Sequence, residues 1–194
     1  MLSKIKNEIE ASIDAKRKSL EDEKLLNQLA FIAEKSVNCL RSGGKIILAG
    51  NGGSFADAQH LAAEFVCRFR KDRKPLPSLV LGANASLATA ISNDYSYDRI
   101  FGRELEGMAQ KDDLFIAIST SGNSNNIIDA VRTARALGIE TYALTGGTGG
   151  NLPSLCQCLI APSDVTARIQ ECHILYGHII CDIVEETLFP ESPE

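Results

Sequence analysis

No uninterrupted apolar stretch in this 194-residue chain approaches the roughly 20 residues that a helix needs to cross a bilayer. The opening residues, Met1-Leu2-Ser3-Lys4-Ile5-Lys6-Asn7-Glu8, lack the apolar centre of a secretory signal. These absences predict a cytoplasmic protein with no membrane partner. Positive charge is not in excess either: 20 Lys and Arg stand against 25 Asp and Glu, a formal net charge of -5. No bulk basic field recruits nucleic acid or anionic lipid, and no helix-turn-helix segment is evident. C-x-x-C pairs are missing among the six scattered cysteines, Cys39, Cys67, Cys156, Cys158, Cys172 and Cys181. That excludes a disulfide framework and a four-cysteine zinc site; most of these thiols lie in apolar patterns, as reduced core cysteines do. Internal repeats, linkers and low-complexity segments are also absent.

What remains is ordinary for a globular enzyme-sized domain, with 44% hydrophobic and 23% charged residues. The length suits a single domain over 1–194, a helical segment at 1–43 followed by an α/β core at 44–194. In the helical segment Leu2, Ile5, Ile9 and Ile13 recur at helical spacing, and Leu20 to Val37 continue the pattern after a break near Ser19. Ser42-Gly43-Gly44 is the stop. The narrow apolar stripe of the first helix suits packing on another helix, in this chain or in a second subunit.

Five apolar runs of strand length follow, at 45–49, 78–81, 113–118, 140–145 and 155–161. Helical patterns at 54–70, 86–92, 102–110 and 124–137 separate them, and a last helix runs from 165 to 188, before Pro190. Strands alternating with helices predict an α/β fold, a parallel sheet covered on both faces. Ser54 with Asp57 three residues on reads as a weak capping box, and Gly138 ends the fourth of the separating helices. The local basic run Arg68, Arg70, Lys71, Arg73, Lys74 reads for most of its members as a solvated helix end, where cations suit the dipole.

Two glycine- and serine-rich loops carry the functional signal. Gly50-Asn51-Gly52-Gly53-Ser54 follows the first apolar run, and Ser119-Thr120-Ser121-Gly122-Asn123-Ser124 follows the third. Small residues let backbone amides and hydroxyls approach an anion, and a following helix N-terminus adds favourable polarity. Two such loops predict a phosphorylated small molecule.

His60 and Glu64 are four apart on the helix after the first loop, so they share a face. Arg68, four further on, could pair with Glu64 or point a cation at a bound anion. The last helix carries Gln170, Glu171, His173 and His178. Helical geometry does not choose among these four. Two imidazoles and a carboxylate suit zinc, with an amide oxygen an unusual fourth donor. A carboxylate and an imidazole are also what an aldose–ketose isomerase needs, one to take a carbon-bound proton beside a carbonyl and one to act at the neighbouring position.

With these residues in view, the chain resembles the phosphoheptose isomerases, enzymes of the sugar-isomerase (SIS) domain. The resemblance rests on Gly50 to Ser54 with Asp57 and His60, Ser92-Asn93-Asp94, Ile118 to Ser124, Leu144-Thr145-Gly146-Gly147, and Ala167-Arg168-Ile169-Gln170-Glu171. It implies a flavodoxin-like three-layer sandwich around a five-stranded parallel sheet, and a homotetramer with active sites at subunit interfaces. It implies interconversion of sedoheptulose 7-phosphate and D-glycero-D-manno-heptose 7-phosphate through an enediol, the first step toward activated heptose for lipopolysaccharide or other surface glycans. By position, Ser119, Thr120, Ser121 and Ser124 would hold the phosphate. Asn51, Gly52, Gly53, Ser54, Asn93 and Asp94 would line the sugar site, with Arg68, Glu64 and Gln170 also contacting substrate. Glu64 would be the base and His178 its acid/base partner. His60, Glu64, Gln170 and His178 would match the ligands of one zinc per subunit. The alternative is a non-enzymatic SIS protein that binds the bacterial replication initiator; such proteins typically lack the carboxylate and the final histidine, and both are present here.

Overall fold

The computed structural model describes residues 1–190. Two helices come first, α1 (Leu2–Glu21) and α2 (Glu23–Arg41). The break falls at Asp22, not Ser19. Asp22 adopts an extended backbone (φ -90°, ψ 90°), and its side chain accepts the Leu25 N–H at 3.0 Å as the N-cap of α2. Ser19 stays inside α1, buried, and shares a 2.6 Å hydrogen bond with the Tyr176 hydroxyl.

The core strands are β1 (Ile46–Gly50), β2 (Ser78–Val80), β3 (Leu114–Ile118), β4 (Glu140–Gly146) and β5 (Gln157–Ala161). They form one sheet in the order β2-β1-β3-β4-β5, parallel throughout. β1 and β3 are buried along their whole length, which explains their unbroken apolar sequences. The remaining helices are α3 (Gly53–Val66), α4 (Ala85–Asp94), α5 (Ile100–Met108), α6 (Asn125–Ala136) and α7 (Thr166–Leu188).

Alternation along each strand assigns two cores. Ile46, Leu48, Leu114, Ile116 and Leu144 face α2, α3 and α7. Ile47, Ala49, Phe115, Ala117 and Ala143 face α5 and α6. The result is a three-layer flavodoxin-like sandwich with the N-terminal helices on one side. α1 meets α7 through Ser19 and through Arg168, which pairs with Glu8 at 2.8 Å. Its residues Leu2, Ile5, Ile9 and Ile13 are left exposed by this chain.

Two local expectations are corrected. Ser54 is not a cap: Gly52 (φ +56°) occupies the N-cap of α3 with no side-chain bond, and Ser54 is buried in the first turn. The helix expected over 54–70 stops at Val66, and the cause lies outside the segment, in contacts from Arg73 and Glu185 described below.

Candidate active site

In an open parallel sheet, ligands bind beyond the carboxyl ends of the strands where the strand order reverses. Here that point lies between β1 and β3, since β2 is on one side of β1 and β3 on the other. Both signal loops emerge there. A reciprocal amide pair joins the first loop to the helix after the second: Asn51 Nδ2 donates to Asn126 Oδ1 and Asn126 Nδ2 donates to Asn51 Oδ1, both at 2.9 Å. The Tyr97 hydroxyl adds a third bond to Asn51 Oδ1 at 3.0 Å. Asn126 and Tyr97 were not foreseen from sequence. An asparagine buried at the start of an amphipathic helix was the available signal for the first; nothing local marks the second.

The second loop is closed by its neighbour after β4. Thr120 O accepts the Gly146 N–H and Gly122 O accepts the Asn151 N–H, each at 3.1 Å. Ser119 and Ser124 hydroxyls meet at 3.2 Å, and the Ser121 hydroxyl accepts the Asn123 N–H at 3.2 Å. Thr120 and Ser121 line a pocket of about 270 Å³ with Gly146, Gly147 and Thr148, and Asp164 also borders it. A larger cavity of about 530 Å³, between Asp22 and Ile160, holds none of the anticipated residues.

The second cluster lies further along α3. His60 Nε2 is 3.0 Å from Glu64 Oε1 and 3.3 Å from His178 Nε2. The two imidazole rings are 5.0 Å apart, and the Phe69 ring lies 5.5 Å from that of His178. Burial pushes the His178 pKa below its ordinary value, and His60 pushes the same way, while Glu64 opposes. His178 is therefore held toward the neutral form, the state that can ligate a metal or accept a proton. The three donor atoms all lie within 4.8 Å of one another. Tetrahedral zinc with bonds of about 2.0–2.1 Å separates its donors by roughly 3.3 Å, so two nitrogens and a carboxylate oxygen at these spacings fit it.

Gln170 is not brought to this cluster within the chain. It is eight residues before His178, about 12 Å along the α7 axis. Its amide instead packs against Gly53, in the first turn of α3, where any Cβ would collide with it. Arg68 lies beyond the end of α3, exposed, and among the described residues it is in no ion pair with Glu64. Asn93 and Asp94 are exposed and bonded to each other at 2.8 Å. Two possibilities left open on α7 are resolved by geometry. Glu171 pairs with Arg168 beside α1. His173 is fully buried, with Nε2 3.0 Å from the Thr145 carbonyl.

Burial lowers the His173 pKa to about 4, more than its bond to Thr145 raises it. The imidazole stays neutral in the fold, while an unfolded chain protonates it near 6.5. Above that pH it makes stability no more pH-dependent. Below it, the unfolded state takes up a proton that the folded state refuses, and stability falls until about pH 4, by up to ~3 kcal/mol. Denaturant titrations at pH 7 and pH 4.5 check this. His173→Gln, whatever its own cost, loses less stability than wild type between the two.

A SIS domain family model matches residues 8–146. The phosphoheptose isomerase of Aneurinibacillus thermoaerophilus is 51% identical over 186 residues, covering 95% of this chain and 94% of the relative. That of Sulfurimonas denitrificans is 51% identical over 189 residues, covering 97% of each. Among solved structures, a phosphoheptose isomerase from Francisella tularensis superposes with a TM-score of 0.90 at 37% identity, over 95% of this chain and 98% of that one.

Proposed function

This chain belongs to the SIS-domain family, among the phosphoheptose isomerases, and from that premise we propose that it interconverts sedoheptulose 7-phosphate and D-glycero-D-manno-heptose 7-phosphate. The observation that carries the reading is the convergence of His60, Glu64 and His178 at 3.0 and 3.3 Å in a fold that also presents a Ser/Thr loop beyond β3. The phosphate sits on the hydroxyls and amides of Ser119, Thr120, Ser121 and Ser124, at the N-terminal end of α6. Asn51, Gly52, Gly53, Ser54, Asn93 and Asp94 line the sugar, and the Arg68 cation meets the anionic substrate.

Glu64 takes the proton from C1 of the ketose. The electron pair left behind forms the C1–C2 double bond of an enediol as the carbonyl oxygen becomes a hydroxyl. As the C1 hydroxyl gives up its proton and becomes the carbonyl, a proton returned at C2 completes the aldose. His178, held toward neutral, moves the proton at the neighbouring position. Zinc on His60, Glu64 and His178 would supply positive charge to the enediol oxygens.

Gln170 would complete that ligand set from a second copy of the chain. Two observations support an assembly. Gln170 is two turns from His178 on one helix, and the Leu2, Ile5, Ile9 and Ile13 stripe is uncovered. A homotetramer with sites between subunits accounts for both. The protein would work in the cytoplasm, supplying heptose for lipopolysaccharide or another surface glycan. No helix among the described residues is long and apolar enough to cross a membrane.

The test is turnover of sedoheptulose 7-phosphate by the purified protein, with zinc added and then chelated. Conversion that is lost on chelation and restored by zinc is the expected result. No conversion in the presence of zinc would overturn the reading.

A further inference from the structure

Four donors converge on one carboxylate near the end of α7. Glu185 accepts the backbone N–H groups of Phe69, Arg70 and Lys71 at 3.0, 2.6 and 2.9 Å, and Arg73 Nε at 2.9 Å. The two side chains of this ion pair are only 1% and 3% exposed. The other edge of the Arg73 guanidinium reaches back to α3. Nη2 donates to the Glu64 carbonyl at 2.8 Å and Nη1 to the Phe65 carbonyl at 2.7 Å. Carbonyls in the last turn of a helix have no partner within it, so this cation replaces the bonds that a continued helix would have made. The run from Arg68 to Lys74 is thus not wholly a solvated helix end, because Arg73 is buried in it.

The pair touches neither reacting group directly. It holds the backbone of the turn that carries Glu64, and it folds the chain so that the Phe69 ring rests against His178. We propose that Arg73 and Glu185 are positioning residues that set the placement of Glu64 relative to His178. The proposal rests on the reading of those two groups as the reacting centre. A buried ion pair with a structural role alone is the competing account.

The experiment compares wild type with Glu185→Gln and Arg73→Lys. Asp113→Asn is the control, since it weakens another ion pair, Lys45 to Asp113 at 2.6 Å, just before β1 and β3, where Asp113 bonds Lys45 and Gln110. Three readouts are taken: zinc affinity by chelator competition, kcat and KM for sedoheptulose 7-phosphate, and the His178 ring signal by NMR. Glu185→Gln and Arg73→Lys are expected to lose about 10- to 100-fold in zinc affinity, as loss of outer supports of a metal site does. Their kcat should fall by a similar factor with KM within about threefold, and the His178 signal should move as Phe69 shifts. Asp113→Asn should change none of these. Variants that match the control in all three readouts would leave the pair a structural one and overturn the proposal. Should neither variant fold, Phe69→Leu keeps the pair and removes the ring; an unchanged His178 signal and kcat there overturn it equally. If wild type fails to convert the sugar, the functional reading falls, while zinc affinity and the His178 signal still decide the positioning role.

Discussion

Glu64→Gln is expected to lower kcat for sedoheptulose 7-phosphate by about 10²- to 10⁴-fold, the range that a positioned general base contributes. The substitution keeps the shape of the side chain and an oxygen toward His60, 3.0 Å away in the wild type. It removes the group that can accept the C1 proton. Sugar binding should survive, because in the proposed site the phosphate rests on the Ser119–Ser124 loop and not on Glu64. Steady-state kinetics and calorimetric binding to the same variant separate the two effects. A zinc measurement belongs beside them, since an amide is a weaker ligand than a carboxylate. Full turnover by a variant that still binds the sugar would falsify Glu64 as the base.

The second large effect is expected at Gly122. It sits in the middle of the Ser119–Ser124 loop with φ +65°, in the left-handed region. A Cβ there would run into the carbonyl of Gly149 and approach the Thr145 hydroxyl at 3.0 Å. Both the backbone conformation and the space therefore exclude a side chain. Left-handed backbone costs an alanine about 1–2 kcal/mol, and overpacking adds about 1–3 kcal/mol. Gly122→Ala should thus lose roughly 3 kcal/mol, or ~6–12 °C in Tm for a chain of this size. The loop must also move away from the one after β4, which carries Thr120 and Ser121 with it. KM should rise at least tenfold, with kcat less affected. A Tm and KM indistinguishable from wild type would show that the loop has a second acceptable shape. At Gly52 the contrast is useful: its φ is +56°, but no atom stands within 4 Å of the Cβ position. There only the backbone term applies, and Gly52→Ala should cost less.

The strands were the most legible part of the sequence. β1 and β3 lie within one or two residues of the apolar runs, because strands buried on both faces leave continuous apolar sequence. β5 is shorter than its run by two residues: the N–H groups of Leu155 and Cys156 bond the Leu152 carbonyl and close a tight turn, and β5 begins at Gln157. Helix ends were legible where the stop is local. Gly138 (φ +73°) ends α6 and Gly43 (φ +85°) ends α2 by their own conformations. The end of α3 was not legible, because its pattern of apolar residues runs on through Phe69. The signals that stop it come from Arg73, seven residues past the helix, and from Glu185, more than a hundred residues away.

The candidate site divides in the same way. The pairing of His60 with Glu64 follows from the helical repeat alone. The choice of partner on α7 does not. Helical spacing left Glu171, His173 and His178 open, and the parallel packing of α3 on α7 decided among them. Gly53 meets Gln170 and Leu61 meets Gly177, so His60 and His178 fall at the same level. Gly177 matters here as a close approach: a Cβ would meet both Leu61 methyl groups at 2.5 Å.

By itself, then, the sequence determined the order and type of the elements, the two loops at the carboxyl ends of strands, and the residue kinds available for isomerase chemistry. These follow from short-range rules: side-chain period, backbone freedom at glycine, and the pKa range of imidazole and carboxylate. Tertiary structure alone decided that His178 comes within 3.3 Å of His60, that Asn126 and Tyr97 hold Asn51, that the Arg73 side chain is buried while Arg68 is exposed, and that Gln170 stands apart from its anticipated companions. Each of those depends on contacts between residues far apart in the chain, where the packing of one helix on another, and not the spacing within either, sets the distance.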